Sequence, residues 1–254
     1  MRVIADYHTH TVYSHGKGSI EDNVRAALSA GLKIIGITDH GPGHFFIGIR
    51  GVPAFRRMQS EIERLRYKYP DIEILFGVEA NIVDTDGTID VPASILRELD
   101  ILLVGYHKLV KPQSAAAALL FIKNFIAGWT GGAGESLRRL NTEAITAAVK
   151  RYPVDAITHP GLQIDIDTFE LAEICAQYGT ALEINSSYGE ELDGYIEAVL
   201  TTQAKLVINS DAHTPSRVGD FKEAYSLVER LEIPRERIIN LEGNMAYKRR
   251  RLGS

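Results

Sequence analysis

The chain has one cysteine, Cys175, among its 254 residues, so it can close no internal disulfide. That cysteine lies in "LAEICAQYG", on the apolar stripe of an expected helix, where a free thiol packs as a small hydrophobe. Excess positive charge is also lacking: 28 Lys and Arg stand against 33 Asp and Glu, for a net charge of −5. Such a molecule has no overall attraction for a polyanion, so no stable nucleic-acid partner is expected and any phosphate binding must be local. No apolar run reaches membrane-spanning length, and the first residues pass straight into polar ones without a signal-peptide core. A soluble, cytoplasmic protein with no membrane partner is expected. No Pro/Gly/Ser-rich linker or low-complexity tract interrupts the chain, which favours one domain over residues 1–254 with a substantial core. The tail "YKRRRLGS" carries four cations and reads as a solvated terminus.

What the sequence does contain is a recurring unit. Short aliphatic, β-branched runs alternate with longer stretches of helical period, the pattern of βα units around a parallel sheet. Strands are expected at Val3–His8, Lys33–Thr38, Glu73–Val78, Ile101–Tyr106, Ala156–Thr158, Ala181–Ile184 and Lys205–Asn209. Helices are expected at Ser19–Ala30, opened by a Ser19/Asp22 capping box, and at Ala54–Tyr69, Thr168–Tyr178 and Pro215–Leu231. Gly31 and Gly179 stand where left-handed helix caps belong. Periodicity is compatible with a barrel and with a doubly wound open sheet. Between His107 and Val154 the rhythm breaks, and two packed helices around "TGGAGES" are expected, with a lid or oligomer contact over residues 108–152 as the alternative.

Nearly every strand stops at a group able to hold a metal: His8 and His10, His40, Glu79, His107, His159, and Asp211 with His213, while the sixth strand supplies none. In parallel α/β folds the C-terminal strand ends converge on one rim, however distant in sequence. Residues i and i+2 of an extended strand also share a face, so His8/His10 and Asp211/His213 can each act as a pair. His15, in the loop after the first strand, brings the candidates to nine. One ion takes about three or four protein ligands, so a multinuclear site with a bridging carboxylate is the economical reading. The eighth histidine, His44, lies in the Gly-rich loop "GPGHFFIGIRG" and is expected to line a pocket or the surface.

The ordered segments "DYHTHTVYSHG", "GITDHGP", "GVEANI", "THPG", "EINSS" and "NSDAH" resemble the motifs of the PHP (polymerase and histidinol phosphatase) superfamily, and of its stand-alone bacterial phosphatase branch in particular. The resemblance implies an α/β fold, a distorted (β/α)7 TIM-like barrel in a single domain, with three divalent ions at its C-terminal rim. It further implies that His8, His10, Glu79 and Asp211 hold one ion, that Glu79 bridges to a second completed by His107 and His159, and that His15, His40 and His213 hold the third. Zn²⁺, Mn²⁺ and Fe²⁺ all suit such donors.

A phosphate monoester dianion repels nucleophiles. Clustered cations neutralise its oxygens, and a metal-bridging hydroxide can attack phosphorus in line. The expected function is therefore metal-dependent phosphatase action on a small phosphorylated metabolite or nucleotide, with Glu79, His8, His10 and Asp211 at its heart. A nucleotide or oligonucleotide 3′-phosphatase or exonuclease, an amidohydrolase-like C–N hydrolase and a catalytically silent metal-binding module are the alternatives. Arg217, Lys108 and Arg50 are candidate clamps for phosphate oxygens. Asp6 and Asp39 stand beside the histidines as groups that either orient an imidazole or cap a turn. A homo-oligomer is compatible with the sequence.

Overall fold

The computed structural model describes residues 1–244 except 131 and 133, so the cationic tail lies outside the described residues. Seven parallel strands, β1 Ala5–Asp6, β2 Ile34–Ile37, β3 Glu73–Asn81, β4 Ile101–Gly105, β5 Ala156–Ile157, β6 Ala181–Asn185 and β7 Lys205–Asn209, follow one another around the sheet in sequence order. The first and last meet at the rim: His10 N donates to Ala212 O at 2.8 Å and Ala212 N to His8 O at 3.3 Å. The sheet is thus a nearly closed barrel, which periodicity could not separate from an open sheet. β1 is shorter than its expected run because regular pairing to β2 covers only Ala5 and Asp6, while Val3 bridges to Leu241 and Thr9 to Ala212.

Side-chain alternation builds the site. Ala5, Tyr7, Ile34, Leu75, Ile101, Leu103, Ala156, Ala181 and Val207 fill a small apolar cluster inside the barrel. Their neighbours Ile35, Phe76, Leu102, Ile157, Leu206 and Ile208 belong to the larger core under the helices. Successive side chains of a strand point to opposite faces. Counting by twos from the interior residues therefore leads upward to His40, Glu79, His107, Thr158, Glu183 and Asp211, one polar layer above an apolar floor.

The helices are α1 Ile20–Ser29, α2 Gly51–Lys68, α3 Ala93–Leu96, α4 Ala115–Thr130, α5 Glu135–Arg151, α6 Thr168–Tyr178, α7 Asp193–Leu200 and α8 Lys222–Arg230. α1 has its reciprocal capping box, Ser19 Oγ accepting from Asp22 N and Asp22 Oδ2 from Ser19 N. α6 ends at Gly179 with φ +72. The expected single helix Pro215–Leu231 is instead a 3₁₀ turn, Pro215–Arg217, and α8. The break is at Gly219, whose φ is +75 and whose N–H is drawn 3.0 Å onto the Asp6 carboxylate, a conformation that glycine adopts without strain. In the 108–152 segment α4 and α5 pack together, joined by reciprocal buried bonds between the Asn124 and Asn141 amides at 2.7 and 2.8 Å. Among the described residues no helix is long and apolar enough to cross a membrane.

Candidate metal centre

The barrel rim gathers all nine sequence-selected residues. His8 Nε2, His10 Nε2, Asp211 Oδ1 and Glu79 Oε2 face one another with spacings of 3.0 Å for His8–His10, 3.4 Å for His8–Glu79, 3.5 Å for His8–Asp211, 3.1 Å for His10–Asp211 and 3.7 Å for His10–Glu79. Two ligands bonded to one Zn²⁺ at the usual distance and tetrahedral angle lie about 3.4 Å apart, so these four side chains are spaced closely enough to share an ion. On the other side of the carboxylate, Glu79 Oε1 lies 3.0 Å from His159 Nε2 and 3.4 Å from His107 Nε2, which are 3.3 Å from each other. One glutamate therefore offers an oxygen to each of two nitrogen clusters. A third group, His10, His15, His40 and His213, converges within 4.8 Å.

Three polar atoms of this layer have no hydrogen-bond partner. His40 Nδ1 stands 2.7 Å from Glu79 Oε2, yet the pair is not aligned as a hydrogen bond and both atoms are buried without a partner, as is His10 Nδ1. Buried polar atoms are almost always bonded. Imidazole and carboxylate lone pairs turned toward one another, instead of toward donors, suit a divalent ion, and His/carboxylate donors suit Zn²⁺, Mn²⁺ or Fe²⁺.

Charge in this layer is strongly coupled. Burial disfavours the charged form of His8, but the carboxylates of Glu183, Asp211 and Glu79 outweigh it and hold the pKa well above the usual histidine value. Burial takes His10 down to about 4, and His40 well below its ordinary value. Burial would raise Glu79, yet the facing imidazoles of His40, His8 and His107 keep it well below the carboxylate range. His159 and Asp211 also hold left-handed backbone, φ 28 and 53, which costs a non-glycine residue roughly 1–3 kcal/mol and clusters at functional sites.

The residues that fix the imidazoles were only partly legible. Glu183, fully buried in the middle of β6, accepts from His8 Nδ1 at 2.7 Å and from Asn209 Nδ2 at 2.9 Å on Oε1. Its Oε2 accepts from the His159 backbone N at 2.8 Å and Asn185 Nδ2 at 2.9 Å. Asn81 Oδ1 meets His107 Nδ1 at 2.7 Å. With the back nitrogen bonded in this way, Nε2 is the lone-pair atom aimed at the centre. Asp6 and Asp39 take the turn-capping role: Asp6 accepts from Ser210 N and Oγ and Gly219 N, and Asp39 from Thr11 and Ser14. They hold the loops that carry Asp211 and His15. Burial raises the Asp6 pKa to about 6.

Of the three candidate cations, Arg217 is paired at 2.7 Å with Asp220 on the surface and Arg50 is exposed at the start of α2. Lys108 is half-buried and lines a cavity of about 200 Å³ with Asn124, Gly161, Gln163 and Asp165. His44 stands outside the three ligand groups, its ring 5.9 Å from His40 and 6.4 Å from His107. Its Nδ1 accepts from Phe46 N at 3.3 Å, which leaves the proton on Nε2.

Gly105 makes the close packing of this layer possible: a Cβ there would sit 2.4 Å from His107 Cε1 and 2.8 Å from Glu79 Oε1. Gly105→Ala is expected to push His107 out of place and lower metal content while the circular dichroism of the barrel is retained. A fully loaded, fully active variant would refute that packing.

Three comparisons bear on this geometry. The PHP domain family matches residues 6–187. The chain is 34% identical over 94% of its length to a probable phosphatase of Shewanella sp. strain MR-4, covering 88% of that protein. It is 33% identical over its whole length to a probable phosphatase of Caldanaerobacter subterraneus subsp. tengcongensis, covering 95% of it. Its fold resembles that of histidinol phosphate phosphatase from Lactococcus lactis, solved with zinc, L-histidinol and phosphate, with a TM-score of 0.60, 15% identity, and coverage of 89% of this chain and 92% of that one.

Proposed function

The chain belongs to the PHP domain family and is a phosphoesterase of the hydrolase class, and from that premise we propose that it hydrolyses the phosphate monoester of a small metabolite or nucleotide at a centre of three divalent ions. The observation that carries this reading is the two-sided disposition of Glu79, with one oxygen among His8, His10 and Asp211 and the other against His107 and His159. His8, His10, Glu79 and Asp211 hold the first ion, Glu79, His107 and His159 the second, and His15, His40 and His213 the third. Bound ions would supply positive charge against the phosphate dianion and water acidified toward neutral pH.

The chain's own residues do the rest. Glu183 and Asn81 keep the Nε2 atoms of His8 and His107 turned inward. Lys108, which follows His107 in the chain, is the first choice for the non-reacting phosphate oxygens, with Arg217 and Arg50 the alternatives. The buried floor below the polar layer excludes bulk water, which strengthens every electrostatic contact above it.

Elemental analysis of the purified chain is expected to give about three ions per molecule, and p-nitrophenyl phosphate to be turned over by Mn²⁺-, Zn²⁺- or Fe²⁺-loaded protein and not after chelation. Absence of bound metal, or hydrolysis of amides with none of phosphate esters, would overturn the reading. A panel of phosphorylated metabolites and nucleotides then identifies the substrate.

A further inference from the structure

Asn81 turns His107 toward the centre, and another group must decide which way Asn81 itself points, because an amide rotated by half a turn fills the same space with donor and acceptor exchanged. The atom that faces His107 Nδ1 at 2.7 Å is Oδ1. A flipped amide would offer its N–H₂ there, oblige Nδ1 to accept, and put the imidazole proton on Nε2. A protonated Nε2 has no lone pair for a cation.

Asp90 is placed to set this orientation. β3 runs on into a tight return, in which Val83 N donates to Thr88 O at 2.8 Å and Asp90 N to Asn81 O at 3.1 Å, with Gly87 at φ +79 in the turn. The Asp90 carboxylate is thereby laid along Asn81. Its Oδ1 accepts from Asn81 N at 2.9 Å and its Oδ2 from Asn81 Nδ2 at 2.6 Å, while the same Nδ2 reaches Gly41 O at 3.3 Å. A carboxylate and a carbonyl only accept, so the amide presents its nitrogen to them and its oxygen to His107. Asp90 Oδ2 also accepts from Gly43 N at 2.6 Å. That approach needs glycine: a Cβ on Gly41 would fall 2.3 Å from Asp90 Oδ1, and one on Gly43 would fall 2.8 Å from Oδ2. Asp90 itself belongs to none of the three ligand groups.

We propose that Asp90 is a positioning residue for the metal centre: by accepting from the Asn81 amide it fixes the flip of that side chain, and through it the tautomer of His107 that leaves Nε2 bare. That lone pair then stands 3.3 Å from His159 Nε2 and 3.4 Å from Glu79 Oε1. Through Gly43 N the same carboxylate ties the loop that carries His44 to this relay. The effect on an ion rests on the assignment of His107 to the second ion, whereas the effect on the tautomer does not.

¹⁵N NMR of the metal-free full chain labelled at histidine, with His107 assigned by its loss in His107→Gln, reads the tautomer directly. The wild-type proton is expected on Nδ1. Asp90→Asn keeps the shape but turns an N–H₂ of its own against the relay, so it should move a large share of His107 to the Nε2–H form. In chelator competition it should weaken one of the bound ions by about 10–100-fold, the usual cost of losing the support of a ligand imidazole. Asp90→Asn/Asn81→Asp is the rescue: a carboxylate at position 81 has no N–H to offer His107, so the Nδ1 proton and the lost affinity should both return. Should Asp90→Asn not fold, Gly43→Ala, which crowds the carboxylate from the loop, must give the same tautomer shift. A wild-type His107 protonated on Nε2, or an unchanged tautomer in the substituted protein, defeats the proposal. Because the tautomer is read without metal, that result is distinct from a wild-type chain that holds no ion, which would defeat the metal centre instead.

Discussion

Glu79→Ala is expected to lower phosphate-ester hydrolysis by about 10³-fold or more, since a metal centre contributes several kcal/mol to the transition state and each 1.4 kcal/mol is a factor of ten. The size of the effect follows from position. Both oxygens of this buried carboxylate are committed, Oε2 toward His8, His10 and His40 and Oε1 toward His107, His159 and the Thr158 hydroxyl. Alanine removes an oxygen from two ligand clusters at once, together with the negative charge that offsets their cations. Glu79→Gln keeps the shape and loses the charge, so it should also be metal-poor, which separates an electrostatic role from a packing one. Neither change touches the apolar floor of the barrel, so the far-ultraviolet circular dichroism should persist. Near-wild-type turnover by a folded Glu79→Ala protein would remove the basis for the metal centre as drawn.

Glu183→Gln is expected to produce the second large effect, on metal affinity and on stability together. Four donors converge on this carboxylate: His8 Nδ1, Asn209 Nδ2, the His159 N–H and Asn185 Nδ2. A glutamine has one oxygen, so its amide N–H₂ must face two of those donors. Breaking a buried charged pair from one side costs about 3–5 kcal/mol, and losing the partner that orients a ligand imidazole typically weakens metal binding about 10–100-fold. Chemical denaturation of the metal-free chain and chelator competition on the loaded one measure the two effects. A variant equal to wild type in both would show that Glu183 neither positions His8 nor supports the His159 loop.

Glu183 also shows where sequence reading stops. The motif "EINSS" was visible, but the sixth strand offered no group past its apolar run, and a glutamate between Leu182 and Ile184 has no local sign of facing a histidine 175 positions away. Strand parity would have found it, since Glu183 is two residues on from the interior Ala181. Asp6 and Asp39 make the converse point. Adjacency to the histidines suggested an imidazole partner as readily as a turn cap, and their bonds to Ser210, Gly219, Thr11 and Ser14 select the cap. The helix expected over Pro215–Leu231 was interrupted for a related reason: the hold of Asp6 on Gly219 N is a tertiary contact, and periodicity does not register it.

By itself, the sequence determined the seven βα units, their parallel order and the eight candidate groups at strand ends, with His15 in the first loop. Apolar period and ligand position are local properties, and the C-terminal ends of parallel strands converge whatever lies between them. Closure of the barrel was decided only by tertiary structure, through the backbone bonds between the first and last strands at His10 and Ala212. So were the two sides of Glu79 and the anchoring of His8 by Glu183. Each depends on which faces meet across the barrel, and a residue's facing partner is set by register and packing between distant segments.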